Sequence, residues 1–399
     1  MKITEIKTFL MQAGSPKETA WSANGISSAG TRNWLFVKIY TDAGVTGLGE
    51  CSGWPRVAEA AVRDLSHILV GEDPTHIERL WQRMHTALMG HGQSGVVGHG
   101  AMSGLDMALW DIKGKVLDTP VWNLLGGKVR ERIRAYSHAS TVENAMSLVA
   151  RGYTAIKTGG VADPLGKLAD LRAALGDEID LMVDLHGPPW LTAPDAIALC
   201  RELEQFHPLF VEEPVAPEAV DAMRRVRDAT SVPLAAGERL AGLYGARSLI
   251  TDGLVDVIQP DTGRAGGLTP MKKIAALAEA HFVSMAPHAG TLGPVAEYAA
   301  VHLLAAIPNA LILERFEDDW TGKQAVLSQP LECVGGHLLV PDRPGLGVDI
   351  DEAFIAAHPS VRNCRLPITE GAGAYAPGTE AEAVYFQSRQ GRHHYFKRS

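Results

Sequence analysis

Leu181-Met-Val-Asp184, Leu209-Phe-Val-Glu212 and Leu234-Ala-Ala-Gly-Glu238 are three short apolar runs that each end in an acid. Gly or Pro bounds each run, so each reads as a buried strand whose last residue emerges at one rim. The segments between them, 192–205 and 217–229, have helical character. Parallel strands joined by helices place their carboxyl ends on the same face. Asp184, Glu212 and Glu238 therefore converge, and like charges so placed need a cation between them. A site built from oxygen ligands alone suits Mg²⁺, with Mn²⁺ as second choice.

Working outward, the same strand-helix beat runs from residue 133 to 314. Strands are expected at 133–137, 154–158, 180–184, 208–212, 232–236, 255–259, 282–285 and 310–314. Eight strands alternating with helices point to an α/β chain folded as a (β/α)8-type TIM barrel. An open doubly wound sheet is the alternative, but no Gly-x-Gly-x-x-Gly follows any of these strands. Before the barrel, residues 2–10 and 34–41 alternate as strands. Asp42-Ala-Gly44 marks a hairpin into 45–50. Residues 13–31, rich in Gly, Ser, Asn and Ala, read as a flap. Helices are expected at 56–70, 74–89 and 101–115, with 90–100 as a glycine-rich link holding His91 and His99.

At 399 residues the chain calls for two domains. Its net charge of -9 speaks against nucleic acid or an anionic membrane as partner. No apolar stretch reaches the roughly 18 residues of a membrane span. Cys51, Cys200, Cys333 and Cys364 are scattered, which argues against a zinc site or disulfide scaffold and for a reducing cytoplasm. The Tyr385-Phe-Gln-Ser stretch with His393 and His394 reads as an expression-tag remnant over 379–399.

Active groups of such barrels sit at the carboxyl ends of strands. Read off in order, these are His138, Lys157, Asp184 with His186, Glu212 with Glu213, Glu238, Asp261, His288 and Glu314. A single one of them could be a solvated loop charge; an ionisable group after every strand is harder to set aside. Gln259-Pro-Asp261 and Ala286-Pro-His288 end neighbouring strands. Asp261 can thus bond one imidazole nitrogen and raise the basicity of the other.

The ordered set Asp184, Glu212-Glu-Pro214, Gly237-Glu238, Gln259-Pro-Asp261 and Pro287-His288 resembles the enolase superfamily, mandelate racemase subgroup. So does Asp106-Met-Ala-Leu-Trp-Asp-Ile-Lys-Gly-Lys115 ahead of Leu124-Leu-Gly-Gly127. The resemblance implies an α+β capping domain over residues 1–125 and a modified barrel over 126–320. A C-terminal segment, 321–375, would return to the cap. It also implies Mg²⁺ stabilising an enediolate formed by removal of the proton α to a carboxylate.

Two features narrow the expectation. The family's racemases carry Lys-x-Lys at the second strand, whereas here Lys157 is followed by Thr158 and Gly159. Asp184-x-His186 is instead similar to the acid-sugar dehydratases of the D-galactonate and mannonate type. The long loop of the mannonate enzymes is absent, which favours the galactonate-like variant. The implied reaction is dehydration of an aldonate to a 2-keto-3-deoxy acid by a carbon-oxygen lyase. His288 or His186 would act as base and the other as acid, and Lys157 and Glu314 would hold the substrate. His138, Asn33, Trp21 and Arg32 are expected substrate contacts. A racemase or epimerase of a hydroxy acid, and a catalytically idle sugar-acid-binding protein, are the alternative readings. A cytoplasmic homo-oligomer is expected.

Overall fold

A computed structural model describes residues 1–13, 20–23, 26–29, 33–90, 92, 95–160, 163–185, 190–289, 293–315 and 322–360. For 20–23 and 26–29 only the backbone is described. The tag reading for 379–399 lies outside these residues.

The cap is a three-stranded antiparallel sheet in the order β1 (Ile3–Gln12), β4 (Asn33–Thr41), β5 (Thr46–Cys51). Within the stretch read as a flap, β2 (Ala20–Ala23) and β3 (Ile26–Ala29) pair as a separate antiparallel hairpin. Helices α1 (Pro55–Leu69), α2 (Ile77–Met89) and α3 (Val96–Val116) cover the sheet, and the short α4 (Val121–Leu124) closes the cap. Their core joins Leu35, Val37 and Ile39 to Val62, Leu80, Leu105 and Leu109. The backbone of α3 lies against β5 because glycines leave room: a Cβ on Gly49 would stand 1.9 Å from Gly104 O.

The stretch 90–100 is not a glycine-rich link throughout. Residues 96–100 form the first turns of α3, and His99 is buried within that helix. Gly100 serves close packing, not chain flexibility, since a Cβ there would lie 2.3 Å from Ser52 O. Composition alone cannot separate these two uses of glycine. His91 lies outside the described residues.

The barrel runs through β6 (Arg132–His138), α5 (Val142–Ala150), β7 (Ala155–Gly159), α6 (Pro164–Leu175), β8 (Asp180–Asp184), α7 (Ala193–Leu203) and β9 (Phe210–Glu212). It continues with α8 (Val220–Ala229), β10 (Leu234–Ala236), α9 (Gly242–Thr251), β11 (Val257–Ile258), α10 (Leu268–Ala280), β12 (Ser284–Met285), α11 (Pro294–Ala306) and β13 (Leu313–Glu314). Neighbouring strands from β6 to β12 pair in parallel. The ring closes through a parallel bridge between Met285 and Ala310 and the pairing of β13 with β6. Several strands are shorter than the sequence pattern implies. Phe282, expected in a strand, is instead 99% exposed with φ of 57° in the turn before β12.

The barrel interior is packed by Tyr136, Ala155, Met182, Phe210, Ala235, Val257, Ala286 and Ile312, which form one buried cluster. Large and small side chains from successive strands fill it. After α12 (Gly322–Ala325), β14 (Cys333–Val334) and β15 (His337–Leu339) form a hairpin, and β15 pairs antiparallel with β6. The chain then returns to the cap. Gly345 bridges Pro120, α13 (Glu352–Ala357) approaches β1, and Pro359 bridges Met11. Asp111 ties these parts together: it accepts N–H bonds from Leu48 and Leu346, each at 2.8 Å, and pairs with Lys115.

Candidate active site

In a strand, residues i and i+2 face the same side. Two residues beyond each member of the interior cluster stand His138, Lys157, Asp184, Glu212, Gly237, Gln259, His288 and Glu314. Apart from Gly237, the next layer towards the carboxyl rim is therefore polar. At the end of β10 that slot is Gly237, whose φ of 140° suits glycine; Glu238 follows it.

Asp184 and Glu212 are register partners at the ends of β8 and β9. Lys157 Nζ lies among the carboxylates, 2.7 Å from Glu212, 2.8 Å from Glu314 and 3.2 Å from Asp184. Burial opposes its charge, but the three acids outweigh that and hold the ammonium well above its ordinary range. Gln259 donates to Glu212 Oε2 at 2.9 Å. Burial and Asp184 push the Glu212 carboxyl up to about 7. Its other oxygen, Oε1, is buried with no hydrogen-bond partner among the described residues.

On the far side, His288 Nδ1 is 2.7 Å from Asp261 Oδ2, and its Nε2 is 2.7 Å from Glu238. Asp261 is itself fixed by the Gly263 N–H at 2.8 Å. Burial disfavours an imidazolium here, yet Glu238, Glu314 and Asp261 together hold His288 well above its usual value. Glu314 is the hub between the two cations. Its Oε1 meets His138 Nε2 at 2.5 Å, and its Oε2 accepts Ala289 N–H at 2.7 Å and lies 3.7 Å from His288. Burial works against its charge, but Lys157 and His288 keep it ionised well below the ordinary range. His138, unlike His288, is moved down, by burial and then by Lys157.

Among the expected site residues, Lys157, Asp184, Glu212, Glu238, Asp261, His288, Glu314 and His138 are thus joined by one chain of contacts. Asn33 is buried at the start of β4, in register with Gln12. His186, Arg32 and the Trp21 side chain lie outside the described residues. Three further side chains enter the site. Arg239 pairs with Glu213 at 2.9 Å and Glu238 at 3.1 Å, with its guanidinium 5.0 Å from the Trp190 ring centre. It braces Glu213, whose φ of 41° is unusual for a non-glycine residue. Gln259 binds Glu212, and the Tyr136 ring lies 5.5 Å from Lys157 Nζ. Gln259 was legible in its motif, and Arg239 adjoins Glu238. Tyr136 carried the signal of period two, two residues before His138.

The donor set fits a hard divalent cation. Three carboxylates follow one another around the rim, and Glu212 Oε1 is an unfilled buried acceptor. Among the described residues, no three acidic, histidine or cysteine side chains already enclose a common point. Instead Lys157, His288 and Arg239 balance the acids.

Comparison with known proteins agrees with this architecture. Residues 6–126 match the mandelate racemase / muconate lactonizing enzyme N-terminal domain, and residues 140–354 match the enolase C-terminal domain-like family. A D-galactonate dehydratase of Ralstonia pickettii (strain 12J) is 39% identical over 348 residues, covering 81% of this chain and 90% of that relative. The crystal structure of the 3,6-anhydro-D-galactonate cycloisomerase of Zobellia galactanivorans is 34% identical with a TM-score of 0.79. It covers 90% of this chain and 99% of its own. A mandelate racemase/muconate lactonizing enzyme-like protein of Roseovarius sp. TM1035 is also 34% identical, with a TM-score of 0.82 over 92% of this chain and 98% of that one. Cap, barrel and the ordered acids at its rim thus lead to one assignment: the chain belongs to the mandelate racemase/muconate lactonizing enzyme group of the enolase superfamily.

Proposed function

We propose that this enzyme is a Mg²⁺-dependent hydro-lyase that dehydrates an aldonate of the galactonate type to a 2-keto-3-deoxy acid. The observation that carries the reading is the His288 imidazole, backed by Asp261 on one nitrogen while the other faces Glu238 and Glu314. The 39% identity to a D-galactonate dehydratase supports the substrate class.

Asp184, Glu212 and Glu238 would hold the ion. When bound, Mg²⁺ (or Mn²⁺) supplies Lewis-acid stabilisation for the negative charge that develops on the substrate carboxylate. The protein's own groups do the rest. Asp261 holds the Nδ1–H of His288; Nε2, which pairs with Glu238 here, would be released to take the proton from C2 once Glu238 is engaged by the ion. A second histidine, His186, delivers a proton to the departing 3-hydroxyl, so the C3–O bond breaks with loss of water. The resulting enol tautomerises to the ketone. Lys157, anchored between Glu212 and Glu314, and His138, bonded to Glu314, orient the acid end of the substrate.

The test is a screen of purified protein with Mg²⁺ against mono- and diacid sugars, trapping 2-keto products with semicarbazide. Turnover is expected on an aldonate, abolished by EDTA, with H288N slowed about 10²- to 10⁴-fold at an unchanged melting temperature. C2-proton exchange into D₂O without a trapped ketone would replace dehydration by epimerisation. Silence in both assays would overturn the sugar-acid reading.

A further inference from the structure

Two amides just beyond His288, those of Ala289 and Gly293, are held by buried carboxylates, the second of them from the cap. Glu50, the fifth residue of β5, is buried and reaches across the domain boundary to the start of α11. Its Oε1 accepts the Gly293 N–H at 2.5 Å, and its Oε2 accepts those of Val295 and Ala296 at 3.0 Å each. These amides begin a helix and have no partner within it. A carboxylate satisfies all three and also complements the helix dipole. The fit is close: a Cβ at position 293 would stand 2.7 Å from Glu50 Oε1 and 2.8 Å from Oε2.

Beside His288 itself, the Ala289 N–H donates to Glu314 inside the barrel. The amides of Ala289 and Gly293 are therefore each held by a buried carboxylate, one belonging to the site and one to the cap. We propose that Glu50 is a positioning residue: acting through the first turn of α11, it fixes the segment that presents His288 to the site. The kinetic part of this inference rests on the proposed role of His288; the structural part does not.

Asp111 supplies the control. It too is a buried cap carboxylate accepting two backbone amides, from Leu48 and Leu346, but neither leads to a strand end of the site. E50Q and D111N, full-length and with Mg²⁺, would be compared by amide hydrogen exchange, melting temperature and kinetics on D-galactonate. E50Q is expected to speed exchange at residues 293–296 and in the peptide containing His288. Its kcat should fall about ten- to a hundredfold with KM within about twofold, as misplacement of a catalytic group demands. D111N should lower the melting temperature and change neither readout. Should E50Q fail to fold, G293A disturbs the same contact from the barrel side and should give the same pattern. Unchanged exchange around His288, or an equal loss of kcat in D111N, would overturn the proposal. If the wild type turns over no sugar acid, exchange alone decides the role of Glu50, and the hydro-lyase reading is what fails.

Discussion

Glu50 in the joint between cap and barrel and Glu212 at the barrel mouth are both buried acids, and burial pushes both up to about 7. They differ in how they are satisfied. Both Glu50 oxygens accept backbone amides. Among the described residues, Glu212 has one oxygen bonded to Lys157 and Gln259 and one with no hydrogen-bond partner, and Glu213 beside it also has an unfilled oxygen. Burial and a raised pKa thus mark structural and candidate functional acids alike. An unfilled acceptor among other charges is what separates them.

The largest effect that tests this contrast is expected from E212Q. If Glu212 holds the cation as proposed, its loss should cost several kcal/mol of transition-state stabilisation, about 10³-fold or more in turnover. Because the acid is buried beside other acids, the melting temperature should hold or rise. A large fall in stability with activity retained would place Glu212 with the structural acids.

The joint should instead respond to pH through His302. This residue of α11 is fully buried; its Nδ1 accepts Trp122 N–H at 3.2 Å and its Nε2–H donates to Leu346 O at 3.1 Å. Burial pushes its pKa down to about 4 from an ordinary 6.5. Since the folded value lies below the unfolded one, its contribution is complete above pH 6.5 and is lost as pH falls through 4. The loss approaches about 3 kcal/mol. Glu50 and Asp106, both raised to about 7, act in the opposite sense, losing stability as pH rises. Comparing wild type with H302Q isolates the histidine: glutamine can keep both bonds, so the variant should gain relative stability between pH 6.5 and 4. An identical pH slope in both proteins would refute the assignment.

A smaller change is expected from G100A. Its methyl group would meet Ser52 O in the packed joint, costing about 1–3 kcal/mol in denaturant unfolding with kcat unchanged. No destabilisation would mean that α3 can shift away from β5 freely.

Much of the site was legible because a strand repeats every two residues: His138, Lys157, Asp184, Glu212, Gln259, His288 and Glu314 each follow an interior apolar residue by two positions. Glu238 departs from that rhythm through Gly237, and its Gly-Glu motif made it readable all the same. Glu50 was not legible, since its partners lie more than 240 positions away and a strand-end glutamate has many possible uses. Nor was the start of α3, because glycines that admit a neighbouring backbone look in sequence like glycines that loosen a chain.

Local pattern by itself determined the alternation of strands and helices, the rim on which the acids gather, and the pairing of Asp261 with His288. Those features depend on chain periodicity and on which strands are consecutive. Only the tertiary structure decided that Lys157 sits within the acids, that Arg239 braces Glu213 and Glu238, and that the cap reaches the His288 segment through Glu50. Such contacts join residues whose proximity follows from closure of the barrel and docking of the cap, and no spacing along the chain encodes either.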